Sequence, residues 1–175
     1  MTSLAPESAL LIRVPAAEPA VALHRFRLDS SAPLGVPAHI TVLYPFLPPP
    51  ALDADVLASL SRLFASVDWF RFTLDRTAWF GDRVLWLGPS REAPFRGLTK
   101  LVFAAFPSCP PYGGQHADVV PHLTVGGTGP PGDLRAAEEA VRPHLPISGE
   151  VTEVDLMTSP PDGGMWTTVA VFPLG

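Results

Sequence analysis

One four-residue pattern occurs twice in this chain, as HITV at 39–42 and HLTV at 122–125, 83 residues apart. Polar and apolar residues alternate within each copy, the period of a strand with one buried face. In an extended segment residues i and i+2 project the same way. His39 and Thr41 therefore share one face, with Ile40 and Val42 on the other. The second copy sorts identically, into His122 and Thr124 against Leu123 and Val125. A proline precedes each copy by one or two residues (Pro37 and Pro121), and two of the chain's five histidines lie in this pattern. The fold must supply two strands that bury their aliphatic side chains and present a His/Thr pair on the opposite face. Rigid strands are a better platform for chemistry than loops.

The rest of the chain is punctuated by proline, of which there are 22 copies. PPP at 48–50 and PP at 110–111, 130–131 and 160–161 fall between patterned segments, where a missing N–H does no harm. ALLIRV (9–14) reads as a strand, and residues 17–29 as a helix with Pro19 in its first turn. HITVLY (39–44) is a β-rich run, and Leu52, Val56, Leu60, Leu63, Phe64 and Val67 recur at helical spacing. Phe70, Phe72 and Leu74 alternate with polar residues, and GDR (81–83) turns that strand into VLWLG (84–88). Phe95, Leu98, Val102 and Ala105 predict a helix, VPHLTV (120–125) a strand, and Leu134 to Leu145 a helix with Asp133 as its N-cap. Strands at about 150–157 and 166–172 complete the order. Hairpins mixed with crossovers favour an α+β fold with largely antiparallel sheets over a doubly wound one. The half-chain repeat predicts a single domain, 1–175, of two similar lobes.

Composition sets the remaining bounds. With 47% hydrophobic and 17% charged residues the chain is globular in type and long enough for a real core. A net charge of −5 disfavours holding long nucleic acid by counterion release, but a small phosphate ligand needs only a local site. The lone Cys109 cannot form an internal disulfide and reads as a packed or loop residue. No apolar run approaches the roughly 20 residues of a membrane span, and MTSLAPESALLIRVP lacks the basic region of a signal peptide. A cytoplasmic, monomeric protein is expected.

Two imidazoles facing one cleft suit a reaction that needs an acid and a base together. Histidine holds either protonation state near neutral pH, so one ring can take a proton while the other donates one. Threonine hydroxyls can donate to an anion held between them. A phosphodiester meets this demand, with one oxygen attacking and another leaving. No metal-ligand spacing accompanies the histidines, and neither a metal nor a cofactor is expected. His24, His116 and His144 read as solvated or loop residues.

Paired H-h-T-h motifs, with h apolar, mark the 2H phosphoesterase superfamily, which this sequence resembles. GVPAHITVLYPF (35–46) and VVPHLTVGG (119–127) are similar to the motif surroundings in its 2′-5′ RNA ligase-like branch. A looser likeness runs from about residue 9 to the end, through VLWLGP and WTTVAVFPLG. The resemblance implies a bilobal fold of two mainly antiparallel sheets with flanking helices, pseudo-twofold about a central cleft. It also implies metal-independent cleavage of a 2′,3′-cyclic phosphate on a nucleotide or RNA end, possible in reverse as 2′-5′ ligation. His39 would then protonate the leaving ribose oxygen, His122 would activate water, and Thr41 and Thr124 would hold the phosphate oxygens. The motif symmetry leaves open which histidine is acid and which is base. A 2′-5′-oligonucleotide phosphodiesterase, or a nucleotide- or RNA-end-binding protein without turnover, are the alternatives. By alternation Tyr44 belongs with Ile40 and Val42 in the core, and Trp79, Trp86, Tyr112 and Trp166 are likewise read as core residues.

Overall fold

A computed structural model describes residues 5–175, so the first four residues of the N-terminal segment lie outside it. Strand β1 (Ser8–Arg13), helix α1 (Glu18–Leu28) and strand β2 (His39–Leu43) come first. Helix α2 (Ala54–Ala65), strands β3 (Phe70–Phe80) and β4 (Val84–Pro89), and helix α3 (Ala93–Ala105) follow. Strand β5 (Leu123–Gly126), helix α4 (Pro131–Val141) and strands β6 (Ile147–Val151), β7 (Glu153–Thr158) and β8 (Thr167–Pro173) complete the order. The fold is α+β, with two four-stranded antiparallel sheets ordered β2-β1-β7-β8 and β5-β4-β3-β6.

The sheets do not divide the chain into halves. The first joins the two opening strands to the closing hairpin, and the second is built from the middle. Each sheet carries one copy of the repeated motif at an edge, β2 in one and β5 in the other. Those two edges approach each other, and α1 ties them together. The carbonyl of Leu28, at the end of α1, accepts from Gly127 and Thr128 N–H at 2.7 and 2.8 Å. Gly126 makes that approach possible, because a Cβ there would lie 2.8 Å from Leu28 Cβ and 2.7 Å from Leu134 Cδ2. One apolar core runs through both sheets, including Ile12 and Ile40 of the first and Leu85, Leu87 and Leu123 of the second.

Three local expectations need correction. The strand expected at about 150–157 is two strands in different sheets, β6 and β7, parted at Thr152. Asp133 is not an N-cap. Helix α4 starts at Pro131, whose missing N–H suits a first turn, and Asp133 sits inside that turn with its carboxylate near the positive helix end. The same helix ends at Val141, and a tight turn (Arg142–His144) carries the chain on to Leu145. Cys109 is buried, and no helix among the described residues is long and apolar enough to cross a membrane.

Candidate active site

His39, Thr41, His122 and Thr124 line one cleft of about 390 Å³ between the two sheet edges. All four are partly exposed, while Ile40, Val42, Leu123 and Val125 are buried, as the alternation requires. The strand bounds differ slightly between copies: β2 begins at His39, whereas β5 begins one residue after His122.

The two rings are held in the same way. His39 Nδ1 lies 2.8 Å from the carbonyl of Pro37, and His122 Nδ1 lies 2.7 Å from that of Val120. A carbonyl can only accept, so Nδ1 carries the hydrogen in both, and the neutral rings keep Nε2 as a free acceptor. Both imidazoles are poorly solvated. Burial is the main cause that pushes His39 from 6.5 down to about 4, and it also lowers His122. The carbonyl bonds oppose this, and the rings are near enough for a charge on His122 to disfavour one on His39. Near neutral pH the free protein therefore holds two neutral imidazoles.

The surroundings of the two rings differ. On the His39 side the fixed element is Arg25 of α1, a buried guanidinium only 2% exposed. Its NH2 donates to Asp29 Oδ2 at 2.9 Å and to Ser31 Oγ at 3.3 Å, and its NH1 to the Val36 carbonyl at 3.2 Å. Asp29 Oδ1 in turn accepts from the Ser31 backbone and hydroxyl at 3.0 and 2.9 Å. Arg25 thus fastens the segment 29–36 that walls the cleft, one residue before the carbonyl that orients His39. On the other side, His122 meets Phe80 edge-on at 4.8 Å and Trp86 at 5.9 Å, and those two rings stack at 4.8 Å. Trp86 is the cross-strand partner of Thr124, which places it on the same face of the sheet.

Three aromatic residues read as core from sequence stand in the cleft wall instead: Tyr44, Tyr112 and Trp166. Strand β2 stops at Leu43, and a bulge where it pairs with β1 breaks the alternation, so Val42 and Leu43 are both buried in succession. Tyr44, one residue past the strand, turns to the cleft and donates its hydroxyl to Glu7 Oε2 at 2.8 Å. Trp166 is held beside the cleft by its backbone N–H, which donates to the carbonyl of Leu34, another lining residue, at 2.8 Å. Trp86 is buried, as expected, and Trp79 packs on the core while Arg135 lies 5.8 Å above its ring. His116 is an exposed loop residue, His144 is exposed and His24 half-exposed. Among the described residues no group of three or more His, Cys, Asp or Glu side chains gathers as a metal-binding cluster.

The model of the 2′-5′ RNA ligase superfamily matches residues 14–162, a span that includes both motifs. The chain belongs to that superfamily, the 2H phosphoesterases. The crystal structure of TT0787 from Thermus thermophilus has a TM-score of 0.65 at 21% identity, covering 96% of this chain and 97% of that one. E. coli LigT complexed with 3′-AMP has a TM-score of 0.60 at 23% identity, covering 97% and 98%. Its apo form has 26% identity and a TM-score of 0.55, again covering 97% and 98%. LigT is also solved with NADP+ and with ATP. No curated protein matches the chain. Family membership assigns an enzyme class, the phosphoesterases and RNA ligase-like proteins.

Proposed function

We propose that this chain is a metal-independent phosphodiesterase that opens a 2′,3′-cyclic phosphate on a small nucleotide or RNA end by His/His acid-base catalysis. The observation that carries the proposal is the matched anchoring of two imidazoles in one cleft. Each gives Nδ1–H to a carbonyl and keeps Nε2 for exchange with substrate. The nucleotides bound to the related LigT support a small nucleotide as ligand.

In the forward reaction a neutral imidazole takes a proton from water as the water oxygen bonds to phosphorus. The bond from phosphorus to one ribose oxygen breaks, and the protonated partner imidazole delivers its proton to that oxygen. The product is a phosphomonoester, and the histidine pair has exchanged protonation states. Ligation is the same ring opening with a ribose hydroxyl in place of water. The new P–O bond forms, the bond to one ribose oxygen breaks, and the product is a phosphodiester whose reverse reaction restores the cyclic phosphate. Thr41 and Thr124 donate their hydroxyls to the non-bridging oxygens, where negative charge concentrates. Because burial holds both rings neutral, the acid must acquire its proton alongside the substrate. The bound phosphate anion supplies the reason, since a nearby negative charge favours the charged ring.

Following the family resemblance, His39 is the acid and His122 the base. The Arg25 cation opposes charge on His39 and the Asp29 carboxylate favours it, so the two local ions act against each other there. The test is hydrolysis of nucleoside 2′,3′-cyclic phosphates in excess EDTA, beside a calorimetric titration with the same compounds. Turnover with retained binding supports the phosphodiesterase. Binding without turnover would establish the nucleotide-binding alternative in its place.

A further inference from the structure

Two cavities share Tyr112 and His122 in their walls. Tyr112, in PPYGG at 110–114, has φ 50° and ψ 35°, and is the one non-glycine residue with positive φ among the described residues. Gly113 and Gly114 follow it in the same left-handed region, at φ 63° and 75°. Glycine adopts that conformation freely, whereas a residue with a Cβ resists it. A tyrosine there must be held by its contacts, and a strained residue beside a cleft points to a use for its side chain.

The contacts are specific. The Tyr112 N–H donates to the Tyr44 carbonyl at 2.6 Å, and its own carbonyl accepts from Gln115 N–H at 3.2 Å. Its ring meets His116 edge-on at 5.8 Å, and its phenol interacts with the Thr41 hydroxyl. On one side lies the cleft that holds the two His/Thr pairs. On the other lies a second cavity of similar size, about 390 Å³, with Phe80, Val84, His116, Asp118, Val119 and Val120 in its wall. Tyr112 and His122 are the two residues that line both.

We propose, resting on the phosphodiesterase reading, that Tyr112 is a substrate-contacting residue that sorts the two parts of the ester between these spaces. Its hydroxyl joins Thr41 on a phosphate oxygen, and its ring forms the partition between the phosphate and the organic substituent. In the free protein the phenol and the Thr41 hydroxyl face each other in the cleft. A phosphate oxygen only accepts, so its arrival turns both donors toward it. Burial pushes the phenol above its ordinary range, which keeps it a donor throughout the working pH. The ring meanwhile stands between the two spaces, so removing it merges them and weakens selection for a substituent that fills the second.

Two variants separate these roles. Tyr112→Phe keeps the ring and the backbone conformation but removes the donor. It is expected to lower kcat/KM for a nucleoside 2′,3′-cyclic phosphate by about tenfold or more, the scale of one hydrogen bond to a charged group. Its preference for that substrate over glycerol 1,2-cyclic phosphate, which lacks a base, should be unchanged. Tyr112→Gly relieves the backbone, so its melting temperature should hold or rise while that preference collapses. The proposal is overturned if both variants match wild type on both substrates. It is equally overturned if Tyr112→Gly melts lower and loses both activities in proportion, the behaviour of a purely structural residue. Titration with inorganic phosphate, followed through the His39 and His122 imidazole NMR signals, keeps the question separate from turnover. If the wild-type protein cleaves no cyclic phosphate, the phosphodiesterase reading fails. Weaker phosphate binding in Tyr112→Phe would still support the contact, and equal affinity would overturn it.

Discussion

The His39 and His122 sides of the cleft share a motif, a strand-edge position and a backbone anchor two residues upstream, yet differ in what surrounds the ring. His39 stands beside ions, the buried Arg25 and its partner Asp29, whereas His122 stands against the stacked rings of Phe80 and Trp86. Duplicated local geometry produces two equivalently anchored imidazoles, the proton carriers of the proposed reaction. Acid-base catalysis needs two that are not equivalent at the moment of reaction, and only their unlike neighbours can make them so. Charges act over several ångströms and respond to a bound anion, while aromatic walls mainly exclude water. The His39 side is therefore tunable through its ion pair, and the His122 side through its solvation.

The largest expected effect comes from removing either ring. His39→Ala and His122→Ala should each lower kcat by about 10²–10⁴-fold, and the double variant by less than the product, since the pair acts as a unit. Steady-state kinetics on a nucleoside 2′,3′-cyclic phosphate would show this. A substrate with a p-nitrophenolate leaving group needs no acid, so it should rescue only the variant lacking the acid. Rescue of His39→Ala would support His39 as the acid, and rescue of His122→Ala would reverse the two roles.

Next in size is Arg25→Met, which strikes one side alone. It leaves Asp29 without its cation and the Val36 carbonyl without a donor, for a cost of about 3–5 kcal/mol in stability measured by urea unfolding. Its remaining activity should show His39 titrating higher than in the wild type, because a cation that opposed the charged ring is gone. Phe80→Ala removes a ring that is 36% exposed and stacked on Trp86, so its stability cost in the same unfolding experiment should be smaller, about 1 kcal/mol. An unaltered His39 titration in folded Arg25→Met would remove the ion pair from the comparison.

Thr41→Val and Thr124→Val keep the branched shape of the strand residues and lose a hydroxyl. Each should reduce transition-state stabilisation by about 1–3 kcal/mol with folding nearly intact. A loss of stability without a specific fall in activity would give them a packing role.

The subtlest effect is on pH. For kcat/KM, which reports the free protein, the profile should be a bell centred below 6.5, because both rings are lowered and each limb removes one required state. For kcat the bell should move up, since bound phosphate favours protonation. The folded state also binds fewer protons at His39 than the unfolded chain between about 4 and 6.5. Stability contributed there is full above 6.5 and declines as pH falls toward 4, and His39→Gln should flatten that decline in unfolding experiments.

Much of the site was readable because period-2 alternation is a local property. His39 with Thr41, and His122 with Thr124, face away from their aliphatic neighbours wherever those strands lie in the fold. Tyr44 was misplaced by the same rule because a bulge against β1 and the end of β2 at Leu43 interrupt the alternation. Neither event has a local signature in HITVLYPF. Arg25 was invisible for a related reason: α1 inverts the usual amphipathic order, leaving Leu23 67% and Phe26 64% exposed while Arg25 is 2% exposed. A buried arginine needs partners, and one of them, the Val36 carbonyl, lies eleven residues on in an irregular segment.

What the sequence determined by itself was the set of candidate groups, the face each occupies and the class of fold that can carry them, because these follow from residue type and backbone period. What only the tertiary structure decided was how the groups are brought together and what environment each receives. The junction of Leu28 with Gly126 and Gly127 sets the two motif strands edge to edge, and Arg25, Phe80, Trp86 and Tyr112 come to the cleft from elements distant in the chain. Protonation, solvation and selectivity depend on such neighbours through space, and no spacing along the chain encodes them.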